Sequence, residues 1–140
     1  MELRIEKIHP AAKLPSYGHP GDAGLDLSAA TDHVLKTGEV YAVPTGIKMA
    51  IPRGYVGLIW DKSGISLKGD HRLAGVVDAG YRGEVQVVMI NLSGATFEIK
   101  AGMKIAQMLV QPVLEVEVGE AEDLDDTSRG EGGFGSTGLD

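Results

Sequence analysis

Nowhere in this chain do apolar residues recur at helical spacing for three turns. Instead, runs of four to six Val-, Ile- and Leu-rich residues are cut again and again by Pro and Gly. Val40 to Val43, Ile47 to Ile51 and Tyr55 to Trp60 are separated by Pro44-Thr-Gly46 and Pro52-Arg-Gly54. Thr96 to Ile99, Lys104 to Gln111 and the alternating Leu114-Glu-Val-Glu-Val118 repeat the pattern. Met103 to Val110 is the one stretch that accommodates a short helix, and its Ile and Val content favours strand. About ten short strands joined by tight turns make the chain all-β, as a barrel, jelly roll or sandwich. The central stretch, Gly75 to Asn91, reads as a β-hairpin turning at Asp78-Ala79-Gly80.

Aromatic residues are only 5% of the 140 residues, so aliphatic side chains must fill the core. There is no cysteine, which excludes disulfides and thiolate metal sites. No apolar run approaches membrane-spanning length, and the first residues lack the apolar core of a leader, so a cytoplasmic location is expected. The net charge of −7 is concentrated: Glu115 to Asp126 holds seven acids and no base, leaving 13 acids against 13 bases elsewhere. No basic footprint for nucleic acid results, and the acidic segment reads as a solvated connector. The glycine-rich residues 127–140 have little to bury and cannot repay their ordering entropy alone. The expected organisation is therefore a β-domain over residues 1–126 and a flexible arm over 127–140. That arm carries an Arg and hydroxyls suited to phosphates and a Phe suited to a ring.

Four stretches place polar groups where a β-core does not require them. Asp26 interrupts the apolar run Ala23 to Leu27. Lys62-Ser63-Gly64 follows a strand end and suits an anion nest. Asp78 to Gly83 gathers an acid, Tyr81 and Arg82. Gln107 lies within Ile105 to Val110 and needs a partner if buried. The four histidines show no metal-binding spacing, and the common nucleotide-loop and zinc-protease patterns are absent.

In this order the stretches resemble the five motifs of the trimeric, all-β dUTP diphosphatases (dUTPases). The matching segments are Ala23 to Ala29, Lys62-Ser63-Gly64, Gly75-Val-Val-Asp-Ala-Gly-Tyr-Arg-Gly83, Gly102 to Gln107 and Arg129-Gly-Glu-Gly-Gly-Phe-Gly-Ser-Thr-Gly138. The resemblance implies a jelly-roll-like subunit, a distorted β-barrel, in a homotrimer with shared sites at subunit interfaces. It implies hydrolysis of dUTP to dUMP and pyrophosphate with Mg²⁺ on the triphosphate. Asp78 would be the general base and Tyr81 would pack beneath the deoxyribose, rejecting a 2′-hydroxyl. The backbone of Gly75, Val76 and Val77 would read uracil's polar edge. Asp26 would hold waters of the Mg²⁺ shell. Lys62, Ser63, Gly64 and Gln107 would line the phosphate path, with Arg129, Ser136 and Thr137 on the outer phosphates and Phe134 stacked on the base. The implied substrate-contacting set also takes in Arg72, Gln86 and Gly135.

Two positions depart from the family pattern. The second motif usually reads Pro-Arg-Ser-Gly, and here it is Asp61-Lys62-Ser63-Gly64. Lysine keeps the charge without the bidentate fork, and Asp61 adds a repulsive charge unless it faces away or pairs with Lys62. Arg72 stands where an Asn is often found. A dCTP deaminase of the same fold needs a Glu in the strand after the hairpin, where this chain has Val88. A non-catalytic nucleotide-binding trimer has no use for Asp78 together with the entire arm. Arg82 has no implied ligand contact and is expected in a structural or interface salt bridge.

Overall fold

A computed structural model describes residues 1–140. It contains eleven strands and one short helix: β1 (Arg4–Lys7), β2 (Ser16–Tyr17), β3 (Leu25–Ser28), β4 (His33–Leu35), β5 (Val40–Ala50), β6 (Tyr55–Trp60), α1 (Ser63–Ser66), β7 (Asp70–Leu73), β8 (Val76–Val77), β9 (Glu84–Asn91), β10 (Phe97–Ile99) and β11 (Lys104–Pro112). The strands form a four-stranded sheet in the order β1-β5-β9-β7, a five-stranded sheet in the order β2-β3-β11-β6-β8, and the pair β10-β4. All pairings are antiparallel. The all-β, jelly-roll-like expectation therefore holds.

Period-two patterning explains the packing. Along β9, Val85, Val87 and Met89 are buried, whereas Gln86 is exposed. They meet Leu27, Val43, Ile47, Ile105 and Met108 in a core cluster of 19 residues, almost entirely aliphatic. Three polar side chains enter it with partners. Thr45 donates its hydroxyl to the Val85 carbonyl. Asn91 donates to the Leu35 and Ala95 carbonyls at 3.0 and 2.8 Å. Asp26 is held by Lys62 and Lys104. Asp70 is the exception, with a buried oxygen that has no partner.

The structure corrects three expectations. The runs at Val40 to Val43 and Ile47 to Ile51 are one strand, β5, because Pro44 to Gly46 is absorbed as a bulge where the register shifts against β9. Gly75 to Asn91 is not a simple hairpin. β9 pairs with β7, whereas Val76–Val77 crosses to the other sheet and pairs with β6. Leu114 to Val118 forms no strand: its apolar side chains are 75–90% exposed, and it pairs with none of the chain's strands. The β-structure ends at Pro112, and Val113 makes a last bond to the Gly54 carbonyl. No backbone hydrogen bond joins residues 114–126 to the rest of the chain.

Candidate active site

The crossing from β7 to β8 creates the first cavity. Gly75 lies at φ 128, and a Cβ there would sit 2.8 Å from the Ile59 carbonyl oxygen. Only glycine lets the chain lie flat on β6, where the Ile59 amide donates to the Gly75 carbonyl at 2.8 Å. Val76–Val77 then forms the terminal strand of its sheet, so one row of its main-chain donors and acceptors is unpaired. The chain turns back through Asp78 to Tyr81, closed by the Tyr81 amide on the Asp78 carbonyl at 3.1 Å. Arg82 braces this turn by donating to the Ala79 and Tyr81 carbonyls at 2.7 and 2.9 Å; it joins no salt bridge within the chain. Tyr81 packs its ring over Gly83 and donates its hydroxyl to the Glu84 carbonyl at 2.9 Å.

The result is a cavity of about 260 Å³ walled by Gly75, Val76, Val77, Asp78, Tyr81, Gln86 and Val88. It is smaller than the roughly 300–1,000 Å³ usual for a complete small-molecule site. A cavity of this size holds part of a drug-sized ligand, and a larger one must extend beyond it. Two acids line it. Glu84 is committed to the Gly46 amide at 2.9 Å. Asp78 is exposed and takes part in none of the six ion pairs, so its carboxylate is available to a water.

A second cavity, about 420 Å³, lies between the β2–β3 loop and the ends of β6 and β11. Its centre is Asp26, 8% exposed, whose two oxygens receive Lys62 at 2.5 Å and Lys104 at 2.9 Å. Burial pushes the Asp26 carboxyl up, but the hydrogen bonds and charges of the two lysines outweigh it and hold it below the usual carboxylate value. Gln107 reaches the same cavity and donates to the Asp61 carbonyl at 2.8 Å, fixing the turn after β6. Gly24 makes room for it, since a Cβ there would sit 3.0 Å from the Gln107 side-chain carbonyl carbon. Ser63 and Gly64 are exposed in the first turn of α1.

Asp61 faces away from Lys62. It accepts the Arg72 amide at 2.7 Å and pairs with His71 at 3.0 Å. Burial raises its carboxyl, and these partners more than reverse the shift. The Asp61 charge is therefore taken up by His71 and the Arg72 amide rather than set against Lys62. Lys104 is a cavity residue that sequence reasoning missed. It lies within the fourth motif, but a single lysine opening a strand carries no signal until Asp26 is seen to need a second cation.

The structure does not gather every expected residue. Arg72 lines neither cavity; its guanidinium covers the Trp60 ring, 4.8 Å from the centroid. Arg129, Phe134, Gly135, Ser136 and Thr137 lie on a string of tight turns bonded only among themselves, such as the Ser136 amide to the Gly133 carbonyl at 3.1 Å. Phe134 is fully exposed at φ 49. Nor do the two cavities share a lining residue.

No group of three or more His, Cys, Asp or Glu gathers to cage a metal directly. Asp26 fits an outer-shell role instead. Its lysines take one lone pair from each oxygen and leave others for water, as suits a Mg²⁺ carried largely by substrate phosphates.

A free edge strand with the Asp78 carboxylate beside it, and a separate pocket lined by Lys62 and Lys104, are the two candidate functional regions of this all-β protein. Comparison with known proteins gives the family. The family model described as dUTPase matches residues 11–138, and the chain belongs to the dUTPase family. A deoxyuridine 5'-triphosphate nucleotidohydrolase of Gloeothece citriformis is 48% identical, covering 99% of this chain and 98% of its own. The dUTPase of Staphylococcus bacteriophage 80alpha, solved with dUpNHpp, superposes with a TM-score of 0.93 at 28% identity over 99% of both chains. A dUTPase of S. aureus phage phi11, described with a structural Mg(II) ion, gives 0.83 at 27% identity over 88% of this chain and 98% of that one.

Proposed function

We propose that this protein is a cytoplasmic dUTP diphosphatase, releasing dUMP and pyrophosphate and so limiting uracil in DNA while supplying dUMP for thymidylate synthesis. The observation that carries the reading is the first cavity, where the free edge of Val76–Val77, Tyr81 and Asp78 converge. Unpaired main-chain groups read uracil by its donor and acceptor pattern. The Tyr81 ring leaves no space for a 2′-hydroxyl. Val88, apolar on the cavity wall, supplies no proton shuttle for deamination at C4.

In the reaction Asp78 takes a proton from water as its oxygen bonds to the α-phosphorus. The bond from that phosphorus to the α–β bridging oxygen breaks, and pyrophosphate leaves with the electron pair. Lys62, Ser63, Gly64 and Gln107 line the phosphate path. Arg129, Ser136 and Thr137 bind the outer phosphates, with Gly135 between them and Phe134 against the base. Asp26 would hold the water shell of a Mg²⁺ ion, which when bound would neutralise triphosphate charge.

A homotrimer completes this reading. Base cavity and phosphate cavity share no residue, and the arm reaches neither within one chain, so one site draws on several copies. A panel of dUTP, UTP, dCTP and dTTP with Mg²⁺, scored for pyrophosphate and ammonia, tests the assignment. Pyrophosphate from dUTP alone is expected, and Asp78→Asn should abolish it while dUTP still binds. Unchanged turnover in that variant overturns the role of Asp78.

A further inference from the structure

Arg72 is half-buried at an unusual place. The chain leaves β7 at Leu73 and must change sheets before β8 begins at Val76. It does so through Ala74 at φ 59 and Gly75 at φ 128. Gly75 is at ease there, but alanine adopts the left-handed region rarely, so the corner needs an external hold.

Arg72 supplies it. One guanidinium nitrogen donates to the Ala74 carbonyl at 2.8 Å. The plane of the group lies on Trp60, and its Nε sits 4.0 Å from Asp61 with no hydrogen-bond partner of its own. Asp61 in turn grips the Arg72 amide and the His71 ring, at 2.7 and 3.0 Å. Trp60 ends β6 and Asp61 follows it, whereas His71 and Arg72 belong to β7, so the cluster bolts the two sheets together. Its last contact is the carbonyl directly before Gly75, where the base cavity begins.

We infer that Arg72, stacked on Trp60, is a positioning residue for base selection: it fixes the Ala74–Gly75 corner and thereby the placement of the free β8 edge, without touching the nucleotide. The inference rests on the dUTP reading and names what enforces its selectivity. A lysine cannot take the position, because only a flat fork can stack on indole while donating sideways. A displacement of the edge by about 1 Å is enough to cost on the order of 100-fold in a positioned reaction.

The test compares dUTP and dCTP turnover in the intact protein, Arg72→Ala, Arg72→Lys and Trp60→Leu, with thermal unfolding and assembly size measured alongside. Arg72→Ala should raise KM for dUTP about tenfold, change kcat by less than about threefold, and lower the dUTP-to-dCTP preference about tenfold. Arg72→Lys should behave like Arg72→Ala despite its charge, and Trp60→Leu should shift the preference in the same direction. Adding Ala74→Gly to Arg72→Ala should recover part of the preference, since glycine holds the corner unaided; a purely structural loss would not respond this way. A KM and preference within twofold of the parent in folded Arg72 and Trp60 variants overturns the inference, as does full rescue by lysine. If Arg72→Ala fails to fold, Arg72→Lys and Trp60→Leu decide it alone. Absence of dUTP preference in the parent protein overturns the functional reading instead.

Discussion

Gly83 offers a way to move Tyr81 without altering it. A Cβ at Gly83 would sit 2.6 Å from Tyr81 Cζ and 2.9 Å from Cε2, with the hydroxyl closer still. Carbon atoms rest about 3.5–4.0 Å apart, so Gly83→Ala must drive the ring away by about 1 Å. The bond to the Glu84 carbonyl is lost, at a net cost of about 1 kcal/mol. Tyr81 is 47% exposed, so water repairs both groups. Gly83 does not occupy the left-handed region, so alanine returns about 0.4–1 kcal/mol by restricting the unfolded chain. Stability should therefore change by less than about 1 kcal/mol, a melting shift of no more than about 4 °C. Catalysis should respond far more. A wall misplaced by about 1 Å is worth on the order of 100-fold, so preference for dUTP over UTP should fall by about 10- to 100-fold. Pyrophosphate release with each nucleotide measures the ratio, and calorimetry measures the stability. A ratio within twofold of the parent, with the fold intact, refutes the placement of Tyr81 under the sugar.

Removing residues after Ser128 should lower kcat/KM for dUTP at least about 100-fold while sizing chromatography shows unchanged assembly; a smaller particle would contradict the separation of arm from body. Gly75→Ala combines left-handed strain with contact on the Ile59 carbonyl, and should destabilise by about 3 kcal/mol in urea titrations. Asp26 and Asp61 are held below their ordinary 3.8 in the fold, so their stabilisation is complete above that value and is lost as pH falls through the folded-state values. Burial raises Asp70, so its contribution runs the opposite way, lost as pH rises from 3.8 through its folded value. Urea midpoints between pH 7 and 3 should thus fall in acid, less steeply in Asp26→Asn, and Asp70→Asn should gain most over the parent at neutral pH.

Alternation and turn residues revealed which segments extend, but not which edge each one meets. The reading of Gly75 to Asn91 as a hairpin failed because a two-residue strand carries no pairing signal. Its partner is chosen by the left-handed corner at Ala74 and Gly75, and nothing about an alanine announces φ 59. Pro44 and Gly46 looked like a break because a bulge and a turn draw on the same residues. Leu114 to Val118 has a strand's pattern, yet pattern without a partner edge leaves it exposed. Where motifs are long, the candidate residues Asp78 and Tyr81 do come together on one cavity wall. The rest was hidden where chemistry depends on side chains far apart in sequence: Lys104 on Asp26, Asp61 on His71, and Arg72 on Trp60.

The untethered end of the chain has a kinetic consequence. From Leu114 to Asp140 there are 27 residues with no bond to the body, the first part acidic and self-repelling. A flexible chain of that length spans about 30 Å root-mean-square, enough to reach a site on another copy in the proposed trimer. Its local concentration there is millimolar in order, fixed by chain length rather than by how much protein is in the tube. Specific activity should therefore stay constant on dilution until the copies themselves separate, and added salt, by relaxing the acidic stretch, should alter how often the cap is found at its seat.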